Sequence, residues 1–545
     1  MSIRGDHDAV IVGGGHNGLV SAAYLARAGL KVLVLERRHL VGGAAVTQEV
    51  FPGFRYSVAS YVVSLLRPEI IRDLRLPEHG LDILPLESTL TPLPGGDSLA
   101  RWSDPDQTRR EIARWSPRDA DAYADFSRCM YKLAWALKPL LSTVPPNPLR
   151  PGVRDAKTIR ELARAVRGLD EADFERLFKL TTMSAADFLS EWFETGPLIA
   201  TMSASGIIGT FAGPRTPGTA YVLLHHYLGE IDGVFRAWGF ARGGNGAVSE
   251  SIASAARSLG AEIRTSAPVE QVITSGGRAR GVVLEGGEEI GARVVLSGLD
   301  PKRTFLQLLD QSDLPGEFVK SIQRFRIRGS SGKVNLALSE LPRFTCLAGA
   351  GGSLTRTPGE AETLLRGAIS ISPSVDYLER AYDDAKYGRF SRRPFMDIVI
   401  PSMIDPTMAP PGKHVMSVFV QYAPFALDGG WNRVKRDAFG DAVIDTLAEF
   451  APGLRDIILH RQVMTPLDMQ QQMGLTEGNI FHGELTLQQL FLFRPVTGWA
   501  NFRTPVRGYY QCGSGAHPGG GVCGAPGRLA ALEVLRDLKV RRGRS

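Results

Sequence analysis

Gly13, Gly15 and Gly18 stand in a G-x-G-x-x-G pattern, and Glu36 follows eighteen residues after the last glycine. Those residue types at that spacing suit a dinucleotide. Gly13 permits a tight turn, Gly15 lets backbone approach a diphosphate, and Gly18 lets a helix pack closely on a sheet. Gly14, His16 and Asn17 fill the positions between them at the helix start, where free N–H groups and the positive dipole end attract phosphate oxygens. Glu36 can accept hydrogen bonds from a ribose, which argues against a 2′-phosphate there. A glycine-rich turn alone would carry little weight; strand, glycines, helix, strand and acid in this order carry much more.

The elements that must hold these residues are legible around them. Residues 9–12 form an uncharged apolar run, as in a parallel strand buried on both faces. Residues 19–28 read as a helix stopped by Gly29, and residues 31–35 as a second strand. Residues 106–141 look helical, interrupted at Pro117 and Pro139. The proline-rich stretch 144–151 is a connection. More helices are expected at 158–169, 170–180 and 185–193, followed by an apolar block, 198–228. Gly243, Gly244 and Gly246 then precede an amphipathic helix at 247–259, and short strands follow at 262–264, 269–273, 281–284 and 293–296. Alternating segments at 333–338, 395–400 and 415–421 suggest a second sheet. A glycine-rich turn at 507–521 leads to a last helix at 528–538. The fold class is therefore α/β, with a Rossmann-like dinucleotide-binding domain assembled from residues 1–79, 239–305 and 501–545. A helical substrate domain is inserted at 80–238, and substrate-domain sheet and helices occupy 306–500, an α+β insertion overall.

At 545 residues the chain exceeds one compact core. With 43% apolar and 22% charged residues it has ordinary globular composition. The positive excess is only six, without a concentrated basic face, which argues against nucleic-acid binding. Arg541, Arg542 and Arg544 cluster at the tail and leave peripheral contact with anionic lipid open. Cys129, Cys346, Cys512 and Cys523 form neither a C-x-x-C pair nor a zinc set. Dithiol redox chemistry is thereby excluded, and a reducing, cytoplasmic setting is expected. Residues 1–8 are polar and do not read as a signal peptide, and no run of eighteen apolar residues suggests a membrane span. Self-association is left open.

Beyond Glu36 the chain reads Arg37, Arg38, His39, Leu40, Val41, Gly42, Gly43, Ala44, Ala45. This loop resembles the FAD-binding domain shared by amine oxidases and phytoene desaturases, where a Gly-Gly pair gives backbone access to the diphosphate. The segment YQCGSGAHPGGGVCGAPGR, residues 510–528, is similar to the C-terminal stretch of the phytoene desaturase-like family of carotenoid and retinoid oxidoreductases, where it runs along the flavin. The densest motif resemblance, over 8–72, 239–300 and 507–535, is to a branch named for a pyridine nucleotide-disulfide oxidoreductase domain, although the dithiol is missing. The family's usual Gly-Gly-Arg is Gly42-Gly43-Ala44 here, so Arg38 or backbone N–H groups must carry more of the diphosphate charge. The resemblance implies FAD, held by residues 13–18, Glu36, Arg37, Arg38, Gly42, Gly43, Ala44, Ala45, Ser60, Val269, Gly515, Gly521 and Val522. Ala59–Tyr61 and 515–521 are expected near the ring. A second dinucleotide site at 346–353 lacks a third glycine and a preceding strand.

FAD carries the electron chemistry, so the protein must supply orientation, a dry pocket and tuning. His517 is the candidate acid or base, set against the alternative that it only shapes a turn before Pro518. His225 and His226 could line a cavity but, being adjacent on a helix, are not a metal pair. Trp238 and Phe240 could wall the pocket. No metal cluster is expected, and the lysine that holds a water by the flavin in amine oxidases has no assignable counterpart. The expected function is dehydrogenation of a hydrophobic organic substrate, with oxygen or a quinone as electron acceptor. The alternatives are an amine oxidase releasing hydrogen peroxide and an FAD-binding regulatory protein with little turnover.

Overall fold

The structure, a computed structural model, describes residues 7–147, 149, 152–231, 233–235, 237–347 and 356–540. The tail arginines 541, 542 and 544 and most of the 346–353 stretch lie outside them. The opening strand, His7–Val12, alternates between two cores, as a two-residue period requires. Ala9 and Ile11 pack under helices, while Val10 and Val12 face the opposite core. Both faces are covered, so the strand needs no polar side. Val32–Leu35 and Glu289–Ser297 flank it in parallel, with Ala9 opposite both Val32 and Val294. Glu262–Arg264 and Tyr509–Gln511 extend this parallel sheet at its two sides. The outer half of Glu289–Ser297 continues into an antiparallel meander with Arg278–Leu284 and Val269–Ser275.

Three helices cover one face: His16–Arg27 lies between Gly246–Ser258 and Ala525–Asp537. Their contact faces carry Ala22, Ala23, Ala253, Ala256, Ala530 and Ala531, which lets the axes approach closely. Gly527 shows how close: a Cβ there would lie 2.1 Å from the Asn17 carbonyl oxygen. The final helix is thus docked directly on the start of the fingerprint helix.

A second sheet runs in the order Ile458–Met464, Ser331–Leu338, His414–Gln421, Phe395–Val399, Ala368–Ile371, Ser88–Pro92, Ser98–Trp102. Residues 80–238 and 306–500 therefore share one sheet. Its two faces differ sharply. Val334, Leu336, Met396, Ile398, Met416 and Val418 pack against the helix Arg433–Phe450. The alternate positions carry Lys333, Phe419, Asp397 and Ser370, aligned in one row by the register Lys333–Phe419–Asp397–Ser370. Lys333 and Phe419 of that row line the cleft described below, and Asp397 and Ser370 line a chamber beside it.

The helical block centres on Pro117–Leu137, which Ser116 caps by accepting from Asp119 N–H. The interruption expected at Pro117 is there: one helix ends at Ala113 and Pro117 begins the next, where a missing N–H costs nothing in the first turn. Glu171–Thr182 and Thr219–Tyr227 pack with it around Phe126, Leu180 and Leu224. None of the helices formed by described residues is long and apolar enough to cross a membrane.

Candidate cofactor and active site

The fingerprint turn makes an anion cradle. Gly15 occupies the N-cap of His16–Arg27 with no side-chain cap, and no acidic residue stands in the first turn. A Cβ on Gly15 would meet nothing within 4 Å, so that position opens into free space. A Cβ on Gly18 would lie 2.2 Å from the Gly13 carbonyl oxygen, because helix and strand touch there. Gly42, at φ +119°, bridges to Gly15 and donates its N–H to Gly14 O at 2.8 Å, setting the second glycine loop beside the first. The buried Glu36 carboxylate accepts from Gly14 N–H at 2.8 Å and Arg38 N–H at 2.9 Å. It is thereby fixed at the end of its strand with lone pairs to spare for a ribose.

From this cradle a mostly apolar cleft runs to the second sheet, where Lys333 and Phe419 line it. Gly13, Gly15, His16, Asn17, Gly18, Glu36, Gly42, Gly43, Ala44, Ser60, Gly521 and Val522 line it, so most of the expected contacts converge on one space. Ala59, Tyr61, His226 and Trp238 line it as well. An uncapped helix end, an open Gly15, a ribose-facing acid and an elongated apolar cleft fit FAD.

The expectation fails at several positions. Gly14 serves Glu36 instead of the cleft. Arg37 donates to Gln471 O at 3.1 Å, and Arg38 to Gly43 O and Gln48 Oε1 at 3.3 Å each, so both guanidinium groups brace loops outside the cavity. Ala45 is fully buried and accepts from Ser249 Oγ at 2.9 Å. Val269 is half-buried, packed against the edge of the core that holds Leu35 and Ala267, and does not line the cleft. Gly515 is pressed on Pro301, where a Cβ would lie 2.3 Å from the ring. His517 is the main correction. Its Nε2 pairs with Leu140 O at 2.8 Å, its ring packs edge-on against Phe491, and burial pushes its pKa down to about 4. It shapes the loop and does not reach the cavity. Phe240 is likewise core.

At the far end stands a residue missed by the sequence reasoning, Lys333. Its side chain is fully buried on the strand Ser331–Leu338, and its Nζ donates to Ala59 O at 3.0 Å and lies 4.3 Å from the Tyr61 ring centroid. Burial pushes its pKa well below the lysine range, so the amine is held toward its neutral form, with a lone pair available. Tyr61 donates to Asp397 Oδ2 at 2.7 Å. Burial raises Asp397 to about 6, against the pull of Tyr61 and Lys333. The usable signal was a lysine inside a strand-like segment, Ser331–Leu338, with no other charged residue and both faces buried. Asp397, Trp238 and His226 also line a second chamber beyond this wall, together with Tyr123, Tyr131 and Arg101.

Arg494 positions the C-terminal glycine loop. Fully buried, it donates to the carbonyls of Phe481, Gly483, Glu484, Gln489 and Ser514 at 2.9–3.3 Å. It thus ties the 481–494 segment, whose Phe481 and His482 line the cleft, to the segment entering 515–521. Arg494→Lys leaves at least two of these buried carbonyls unpaired and is expected to cost about 2–6 kcal/mol, read as a lowered urea midpoint.

The fold and the cleft define a flavin-dependent oxidoreductase, and comparison with known proteins agrees. The profile of the family described as flavin containing amine oxidoreductase matches residues 18–463, and the chain belongs to that family. Within it the chain is of the phytoene desaturase-like branch. It is 42% identical over 557 aligned positions to pyridine nucleotide-disulfide oxidoreductase domain-containing protein 2 of Rattus norvegicus, covering 98% of this chain and 94% of that one. A limonene dehydrogenase polypeptide of Castellaniella defragrans is 26% identical over 97% of this chain and 95% of its own. A lycopene-forming phytoene desaturase of Pantoea ananas is 26% identical over 97% and 99%. Among solved structures, an oxidoreductase from Methanosarcina mazei superposes with a TM-score of 0.60 at 18% identity, covering 97% of this chain and all of that one. The protein is an FAD-dependent oxidoreductase. Its four cysteines, all free and buried, offer no dithiol.

Proposed function

We propose that the protein dehydrogenates a hydrophobic small molecule, with Lys333 taking the proton that leaves the substrate. The observation that carries this reading is a fully buried amine at the end of an apolar cleft that begins at the dinucleotide fingerprint. FAD, held by the fingerprint, Glu36, the 42–44 loop and Gly521–Val522, would accept the electron pair and hydrogen of a C–H bond. The chain's own residues do the rest. Ala59 O aims the Lys333 Nζ, the Tyr61 and Phe419 rings exclude water beside it, and Asp397 stabilises the ammonium that forms. The aromatic-lined second chamber, which shares Ile208, His226 and Trp238 with the cleft, is the proposed route for an apolar substrate. Oxygen or a quinone would reoxidise the cofactor.

One observation favours a second reading, oxidation of an amine: Tyr61 and Phe419 stack at 5.7 Å between centroids in the cleft wall, a pair of rings beside the reacting position. Anaerobic mixing of the FAD-loaded protein with limonene, an apolar alkene, or with cyclohexylamine separates the two. Bleaching of the flavin band by limonene alone supports the first reading. Bleaching by the amine alone, with peroxide formed in air, replaces it with the second. If neither they nor a wider set of alkenes and alcohols bleach the flavin, a non-catalytic FAD protein remains.

Asp397 makes the rate depend on pH. Below about 6 it is protonated and no longer favours charge on Lys333, so the base is weaker. The rate of flavin reduction by whichever probe bleaches it should rise through about pH 6 and then level. Asp397→Asn should flatten that rise and sit about tenfold lower at pH 7.5. An unchanged profile would remove Asp397 from the account.

A further inference from the structure

Ala44 carries no charge and Arg38 is spent on Gly43 O and Gln48 Oε1, so the 36–44 segment turns no cationic side chain into the cleft. Two histidines stand in the cleft instead. His16 opens the fingerprint helix directly after Gly15, and His482 comes from the segment that Arg494 ties down. His16 Nε2 and His482 Nδ1 are buried ring nitrogens with no hydrogen-bond partner. An orphaned polar atom in a buried site costs stability unless a ligand pairs it, so both nitrogens mark where a polar group of a ligand belongs, an anionic oxygen where the ring nitrogen carries its proton.

We propose that His16 and His482 clamp the diphosphate of FAD and take up protons as the cofactor binds. The proposal rests on the cleft being the FAD site, as set out above. Without ligand, burial and the neighbouring His482 push His16 down to about 3; burial, Arg494 and Arg303 push His482 down to about 4. Glu36 is the acidic group in the cleft near the cradle, and it is committed to two backbone N–H groups. Both rings are therefore neutral at pH 7 in the free protein. A diphosphate brings two negative charges against them, which favours the imidazolium form and lets each ring donate from both nitrogens. The sign follows from linkage. Groups whose pKa is higher in the complex than in the free protein bind FAD more tightly as pH falls through the bound value, and the gain is complete below the free value.

The test uses the full-length apoprotein and FAD itself. Flavin fluorescence gives Kd at pH 8, 7 and 6, and calorimetry in two buffers of different ionisation heat gives the proton count at each pH. Neither the diphosphate nor the isoalloxazine changes charge over that range. Uptake of about half a proton or more per FAD is expected, and with it a Kd at least about tenfold lower at pH 6 than at pH 8. His16→Asn with His482→Asn keeps a neutral donor at each place, and asparagine tolerates the left-handed backbone of His482, φ +55°. This double variant should bind FAD with no pH dependence and no proton uptake. Tight binding by the wild-type protein without proton uptake, or a double variant that keeps both, overturns the clamp while leaving the FAD site standing. Failure to bind FAD at any pH overturns the site and the clamp together. The wild-type measurement decides the matter even if the double variant does not fold.

Discussion

Lys333→Met should leave a protein that folds, holds FAD and reacts about 10²–10⁴-fold more slowly, the range a lost acid–base group commonly costs. Methionine has nearly the length of lysine and suits an apolar wall, so the cleft keeps its shape. It also removes an amine whose burial is unfavourable, a gain that offsets the Ala59 carbonyl left unpaired, so the melting temperature should change little. The signature is a split. Flavin content and the Tyr61–Asp397 hydrogen bond persist, while anaerobic bleaching by substrate slows. Stopped-flow reduction of the two proteins at one pH measures it directly. A Met variant that reduces its flavin at the wild-type rate would show that the proton goes elsewhere, with Asp397 the next group to test.

The second large effect separates a glycine needed for ligand from one needed for fold. Gly15→Ala should fold with an unchanged urea midpoint, because its Cβ meets nothing within 4 Å and its backbone is extended at φ −69°. The same methyl group occupies the space a diphosphate would take, so FAD affinity should fall by about a hundredfold or more. Gly18→Ala should fail earlier. Its Cβ would lie 2.2 Å from Gly13 O, and the helix must lift off the strand to admit it. Overpacking of this kind costs ~1–3 kcal/mol or more, and here it also tilts the helix whose amino terminus forms the cradle. Both variants lose flavin, but only Gly18→Ala should lose stability in the apoprotein. Equal destabilisation of the two apoproteins would mean that the Gly15 space is not a ligand site.

The difference between what was legible and what was not follows range along the chain. The first thirty-six residues contain strand, turn, helix, strand and acid, each set by its immediate neighbours, and the structure builds each where expected. Gly13, residues 15–18, Glu36, 42–44, Ser60 and 521–522, expected together from the fingerprint and the family resemblance, all line one cleft. His517 could not be settled from sequence, because a loop side chain has no periodicity to say which way it points. Here it points to Leu140. Lys333 was hidden differently. It sits in an alternating strand, where only the register against His414–Gln421 and the burial of both faces reveal a charged group turned inward. Arg494 and His482 come from a stretch with no motif at all, and their roles depend on carbonyls and cavities assembled from distant segments. The break at Pro117 was legible, since a proline that cannot continue one helix suits the first turn of the next.

The measurement closest to the central claim is the visible spectrum of the purified protein, repeated on the supernatant after heat denaturation, with the released flavin identified by chromatography. The cleft with its cradle, acid and open Gly15 predicts flavin bands that leave with the supernatant as FAD, at about one per chain, and that are missing from Gly15→Ala. A colourless wild-type protein that FAD cannot reconstitute, or a Gly15→Ala protein carrying the full complement of FAD, would contradict it.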